Sequence, residues 1–255
     1  MGGLLSLETL AEDAARLEGR IGQVMLSDPQ SWKGPDADLD AVGSAAEAAG
    51  VGLYVHAPYL INVATTNNRV RIPSRGLLQK TLDAAAAVGA RGVVVHGGHV
   101  QAGDDPAQGF DNWRKAVDGL RLRVPLLIEN TAGGANAMAR QLDRLAALWS
   151  LLSACDNAEQ VGFCLDTCHA HAAGLALDGL VGRVMEITGR IDLVHLNDSR
   201  GAFGSGVDRH ANLGQGDCDP NGLRRVVADA NAPVIVETPG GLDGQRADLD
   251  WLRQA

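Results

Sequence analysis

Long basic blocks are missing from this chain, which carries a net charge of −9, with 22 Lys and Arg against 31 Asp and Glu. A whole-molecule electrostatic grip on nucleic acid therefore has no support in the composition. Bound metal ions would change the sign locally, because an ion is often the largest charge at its site. No stretch approaches the roughly 18 apolar residues of a membrane span, and the N-terminus has neither the basic flank nor the apolar run of a signal peptide. The four cysteines (Cys155, Cys164, Cys168, Cys218) form no C-x-x-C pair and no dense framework, which predicts reduced thiols in a cytoplasmic protein. Aromatic residues are scarce, at 4%. No G-x-G-x-x-G follows the first visible strand, which weakens the nucleotide-binding form of an open sheet. No linker or shift of composition marks a boundary, so residues 1–255 read as one domain.

What is present suits an α/β barrel: 255 residues, 45% hydrophobic, with 32 glycines to supply tight strand-to-helix connections. Residues 5–18 read as an amphipathic helix and 22–26 as a short strand. Residues 38–49 read as a helix stopped by Gly50. A rhythm follows. Apolar strands end in His56, His96, Glu129, Asp166, His195 and Glu237, and helices are expected over 74–88, 108–121, 137–152, 177–188, 220–230 and 248–253. Near-continuous apolar strands alternating with helices predict a parallel sheet covered by helices. Seven strands are visible in the sequence where a closed (β/α) barrel has eight. The expectation is a TIM-type barrel whose first strand is missing, through either a start assigned too late or a truncated protein.

The strand ends carry chemistry. In a barrel the C-terminal strand ends converge on the face that holds the active site. All six terminal residues are metal-ligand types with nitrogen or carboxylate oxygen donors. Any one of them reads equally well as a satisfied polar residue; six at the same point of successive repeats do not. His169 follows Asp166 by three residues, about one helical turn. Asp208-Arg209-His210, in a Gly-rich loop, can turn its outer side chains the same way in extended backbone. The nine candidates exceed what one tetrahedral zinc takes and suit three ions with a bridging carboxylate. Imidazoles and carboxylates without thiolates suit zinc, with manganese or iron as alternatives. Cys164 and Cys168 flank the cluster and are expected to pack as small apolar groups. His99 and His171 are not assigned as ligands.

The motifs that carry these residues are Val55-His56-Ala57-Pro58-Tyr59-Leu60-Ile61-Asn62, Ile128-Glu129-Asn130-Thr131-Ala132-Gly133, Cys164-Leu165-Asp166-Thr167-Cys168-His169 and Val194-His195-Leu196-Asn197-Asp198-Ser199. Gly204-Ser205-Gly206-Val207-Asp208-Arg209-His210 and Glu237-Thr238 complete them. Together they resemble the endonuclease IV family of apurinic/apyrimidinic (AP) endonucleases. The resemblance implies a trinuclear zinc site. His56, His96 and Glu129 would hold one ion. Glu129 would bridge to a second, held also by Asp166, His195 and Glu237. His169, Asp208 and His210 would hold the third. The implied reaction is hydrolysis of the DNA phosphodiester 5′ to an abasic site, leaving a 3′-hydroxyl, with trimming of blocked 3′ ends. Glu129 and Glu237 would position the metals and a bridging hydroxide. Tyr59 and Leu60 match family positions that enter DNA at the abasic gap; a third such position, often Arg, is Gln30 here. Arg69, Arg71, Arg75, Arg200 and Arg209 are candidate phosphate contacts. The expected partner is double-stranded DNA bearing abasic sites or blocked 3′ ends, engaged by a monomer. The alternatives are a sugar isomerase or epimerase on the same barrel, which would leave the third ligand group unused, and a non-catalytic DNA-damage binder.

Overall fold

The computed structural model describes residues 1–254. Eight parallel strands close into a barrel. They are β1 (Gly2–Leu4), β2 (Ile21–Val24), β3 (Gly52–His56), β4 (Gly92–His96), β5 (Leu126–Glu129), β6 (Val161–Asp166), β7 (Leu193–His195) and β10 (Val234–Val236), with β10 joined back to β1. A two-residue hairpin, β8 (Asp198–Ser199) with β9 (His210–Ala211), stands outside it after β7. The outer helices are α1 (Leu10–Leu17), α2 (Leu39–Ala49), α3 (Asn68–Ala87), α4 (Pro106–Gly119), α5 (Leu142–Leu152), α7 (Leu180–Thr188), α8 (Pro220–Ala230) and α9 (Gly241–Arg253); α6 (Thr167–Ala172) is a short helix directly after β6. No helix among the described residues is long and apolar enough to cross a membrane.

The expectation of a missing first strand is wrong. β1 lies between β10 and β2, with Gly2 opposite Ile235 and Ile21, and Gly3 opposite Val236 and Gly22. The helix expected over 5–18 starts only at Leu10. The strand is hidden by its composition, since glycine is among the weakest strand formers. The same glycines let it fit. A Cβ on Gly2 would lie 1.7 Å from the Ile21 carbonyl oxygen, and one on Gly3 would lie 2.0 Å from Gln245 Oε1. Two helices start well before their expected positions. Pro73 lies inside α3, which begins at Asn68 behind an Asn67 cap, and α9 begins at Gly241.

Strand side chains alternate between the barrel interior and the helices. Ile21, Tyr54, Val94, Leu127, Cys164, Leu193 and Ile235 form an apolar cluster of their own, apart from the main core between barrel and helices. Each lies two residues before a polar group: Gln23, His56, His96, Glu129, Asp166, His195 and Glu237. Period two puts each pair on the same face. The apolar layer thus forms a floor, and the polar layer sits on it at the C-terminal mouth.

Candidate metal centre

Register brings the polar layer together. His96 pairs with Glu129 across β4 and β5, and Asp166 pairs with His195 across β6 and β7. Asp166 also caps α6: its Oδ1 accepts the His169 N–H at 2.6 Å, which fixes the turn that brings His169 to the same mouth. Asp208 and His210 arrive on the β8–β9 hairpin. Its base is held by the buried Asp198 carboxylate, which accepts the backbone N–H groups of Ser199, Gly214, Gly216 and Cys218 at 2.7–3.0 Å.

Three groups of potential ligand atoms lie within 4.8 Å of one another: His56, His96 and Glu129; Glu129, Asp166, His195 and Glu237; and His169, Asp208 and His210. Glu129 is shared. Its Oε2 lies 3.3 Å from His56 Nε2 and 3.5 Å from His96 Nε2, and its Oε1 lies 3.0 Å from His169 Nδ1 and 3.3 Å from His195 Nδ1. His169 Nε2 and His210 Nε2 lie 3.1 and 3.3 Å from the two Asp208 oxygens. A fourth combination, Asp166, Cys168 and His210, is also compact. Burial pushes the Cys168 thiol up to about 12, however, and only a thiolate is a good ligand. Burial does the same to Cys164, which belongs to the apolar floor as expected.

The imidazoles are oriented by what they donate to. His56 Nδ1 donates to the Ala57 carbonyl at 2.7 Å, His169 Nδ1 to the Asn130 carbonyl at 2.9 Å, and His210 Nδ1 to the Glu237 carbonyl at 3.1 Å. That leaves Nε2 of each facing the cluster as the nitrogen that can ligate an ion once its proton is displaced. His210 Nε2 is buried and makes no hydrogen bond. His195 is turned round: its Nε2 meets Gln23 Oε1 at 2.8 Å and its Nδ1 faces the carboxylates.

The electrostatics ask for cations. Glu129 and Asp166 are buried, Glu237 nearly so, and Asp208 closes the mouth; among the described residues, all their ion-pair partners are imidazoles, with no Lys or Arg. Burial alone would lower the imidazoles. The carboxylates overcome it, holding His169 and His195 well above their ordinary range and His210 at about 9. His96 goes the other way, pushed by burial down to about 4. Burial raises Asp166, whereas the histidines outweigh burial to hold Glu129 and Asp208 well below the usual carboxylate range. Buried carboxylates matched only by imidazoles form the donor set that hard to borderline divalent ions take. A cavity of about 360 Å³ opens onto the centre, lined by Leu4, Tyr59 and seven of the nine candidates; Asp166 and His195 lie beneath them.

The residues expected to contact DNA divide between the rim of the centre and the body of the protein. Tyr59 is half-exposed, and its ring lies 5.2 Å from that of His56 and 5.8 Å from that of His96. Its N–H donates to the Pro29 carbonyl at 3.0 Å, which places exposed Gln30 on the adjoining loop. Leu60 is half-buried beside Tyr59, and Arg200 and Arg209 are exposed on the hairpin. Arg71 and Arg75 are engaged within the protein, with Asn112 and with the Lys115 carbonyl. His99 is exposed, and His171 bonds the Gly201 carbonyl at 3.1 Å, away from the three groups.

Sequence reasoning missed three polar supports. Asn130 and Asn197 lie inside the quoted motifs: the Asn130 side chain accepts the Asp166 N–H, and Asn197 Nδ2 donates to Asp166 Oδ2 at 2.7 Å while its Oδ1 accepts the Glu237 N–H. Gln23 lies in no motif; its only signal is an amide in an otherwise apolar strand.

The family model described as "Xylose isomerase-like TIM barrel" matches residues 12–255. The "Probable endonuclease 4" of Mycobacterium tuberculosis strain H37Ra is 54% identical over 242 residues, covering 94% of this chain and 93% of that protein. The crystal structure of endonuclease IV from Thermus thermophilus superposes with a TM-score of 0.83 at 32% identity, covering 99% of this chain and 97% of the other. A D-tagatose 3-epimerase-like protein reaches a TM-score of 0.81 over 99% of this chain and 96% of its own, but at 17% identity that likeness is one of fold. With identity of this extent along nearly the whole chain, and the motifs gathered at one barrel mouth, the chain belongs to the endonuclease IV family of AP endonucleases.

Proposed function

We propose that this chain hydrolyses the DNA phosphodiester on the 5′ side of abasic sites, leaving a 3′-hydroxyl, and trims blocked 3′ ends, with zinc at three sites and manganese as the alternative metal. The observation that carries this reading is the meeting of nine nitrogen and carboxylate donors at one mouth, in three adjoining groups, with no Lys or Arg among the described residues paired to them. Divalent ions held there would offset the charge of the phosphodiester and let water ionise near neutral pH.

The side chains divide the work. His56, His96 and Glu129 hold one ion. Glu129, Asp166, His195 and Glu237 hold the second, and His169, Asp208 and His210 the third. Glu129 and Glu237 both line the cavity, where they position the attacking water beside the phosphate. Tyr59, with its ring braced on two histidines, stands at the cavity edge where an aromatic wedge can enter weakly stacked DNA. Leu60 and Gln30 flank it, and Arg200 and Arg209 take phosphates from the hairpin side. All nine donors come from one chain, which fits a monomer, and four free, buried cysteines fit a reducing cytoplasm. A sugar epimerase would have no use for the hairpin's ligand group.

Metal content and incision of an abasic-site duplex test this together. Purified protein is expected to hold three zinc ions, to incise 5′ to the site, to lose incision to chelator, and to regain it with zinc. One ion per chain, or incision that survives full chelation, would sink the assignment.

A further inference from the structure

We propose that Gln23 is a positioning residue that sets the second metal site, by fixing the tautomer of His195 and aiming Glu237 at the ion. The inference rests on the reading that Glu129, Asp166, His195 and Glu237 share one ion.

Gln23 occupies the place on β2 that a candidate ligand occupies on six other strands. It lies two residues after Ile21 of the apolar floor, as His56 follows Tyr54 and Asp166 follows Cys164. It is 1% exposed. Burying an amide is costly unless both of its ends are bonded, and both are. Its Nε2 donates to Glu237 Oε1 at 2.6 Å, and its Oε1 accepts from His195 Nε2 at 2.8 Å.

The two bonds fix each other's direction. An ionised carboxylate only accepts, so the NH₂ end of Gln23 must face Glu237. The amide oxygen then faces His195, which must carry its proton on Nε2. Nδ1 is left as the nitrogen that would ligate an ion, 3.1 Å from Glu237 Oε2 and 3.3 Å from Glu129 Oε1. Glu237 has one oxygen occupied by Gln23, so the other turns to the same place. A neutral amide does this without adding charge beside four carboxylates.

His195 differs from the other oriented histidines in this respect. His56, His169 and His210 donate to backbone carbonyls, which no side-chain substitution removes. His195 depends on a side chain reaching across the barrel from β2. The outer partner of a ligating histidine contributes about 10–100-fold to metal affinity. Removing Gln23 should therefore weaken one site of the three and spare the two whose imidazoles lean on the backbone.

The test is zinc stoichiometry under chelator competition, with cadmium-113 NMR of the cadmium-loaded protein, on wild type and Gln23→Met. Met keeps the length and apolar body and removes both bonds. Wild type is expected to show three sites, one of them rich in oxygen donors. In Gln23→Met that oxygen-rich resonance should shift or vanish, and one ion should be released about 10–100-fold more readily, with the other two unchanged. A merely structural role would weaken all three sites together or none, and either result overturns the proposal. If Gln23→Met does not fold, Gln23→Asn keeps the amide but is one methylene too short to reach both partners, and the same selective loss is expected. Three ions held equally well in both proteins would refute the role of Gln23 and leave the three-ion reading standing. Fewer than three in wild type would refute that reading and, with it, this inference.

Discussion

Asp166 and His169 are three residues apart and joined by a hydrogen bond, yet their ligand atoms turn to different groups. The cap explains how. The Asp166 carboxylate spends Oδ1 on the His169 N–H, which starts α6 and lifts the imidazole past the carboxylate toward Asp208. Oδ2 accepts from Asn197 at 2.7 Å, and Asp166 groups with Glu129, His195 and Glu237. Substitution should therefore separate them. Asp166→Asn can keep the cap through its amide oxygen while losing the charge, and should deplete the deep ion; His169→Ala should deplete the ion on the hairpin side. Metal analysis of the two purified variants checks this, each being expected to retain about two ions per chain on the site count that zinc ligation implies; loss of the same ion from both would refute it. The spacing of the pair is legible in the sequence because a helical turn has a fixed length. The split between two groups is not in that spacing; it is what the resemblance to the endonuclease IV family implies. Gln23 was not legible, because nothing in Ile21-Gly22-Gln23-Val24 says that its amide will meet residues 172 and 214 positions away.

The elements divide by how much of their stability is local. β3 to β7 are apolar runs ending in a polar residue, a pattern set by burial on both faces, and each could be read directly. β1 has no such pattern. It is a strand because β2 and β10 leave a gap that only a nearly bare backbone fits, a tertiary cause that no propensity records. α6 and the β8–β9 hairpin are similar, being held by Asp166 and Asp198 carboxylates bonded to backbone N–H groups rather than by periodicity. β1 matters to the centre because its closure keeps β2, and hence Gln23, in register. Gly2→Ala would drive a Cβ into the Ile21 carbonyl, a backbone atom that cannot swing aside. Overpacking of this kind costs about 1–3 kcal/mol, which for a chain of this size lowers Tm by about 2–4 °C per kcal/mol. A thermal melt of Gly2→Ala that matched wild type would mean the barrel closes more loosely than β1 indicates.

At the scale of the whole molecule, an acidic protein has to hold a polyanion. The chain carries −9, and four of its carboxylates are gathered at the barrel mouth proposed to meet DNA. Three divalent ions would bring the total to about −3, with all of the added charge at that face. On the proposed reading the grip on DNA would rest chiefly on the loaded centre, with Arg200 and Arg209 adding to it from the hairpin side. Without metal, the same carboxylates bind protons through the histidines, which gives a signed pH dependence. His210 is held at about 9, and His169 and His195 well above their ordinary range, whereas an unfolded histidine titrates near ~6.5. Between those values the folded state binds more protons than the unfolded state, so stability is fully present below ~6.5 and is lost as pH rises toward His210's folded value. His96, pushed down to about 4, acts on the other side and removes stability as pH falls below ~6.5. Chelated protein should therefore melt highest near ~pH 6.5 and lower at pH 9. Zinc should reverse the upper limb, because ions displace such protons and bind more tightly as pH rises. Melts at pH 6.5 and 9, with chelator and with zinc, check this: the gap between loaded and stripped protein should widen with pH, and a stripped protein that gains stability toward pH 9 would show that the carboxylate cluster does not hold the histidines charged.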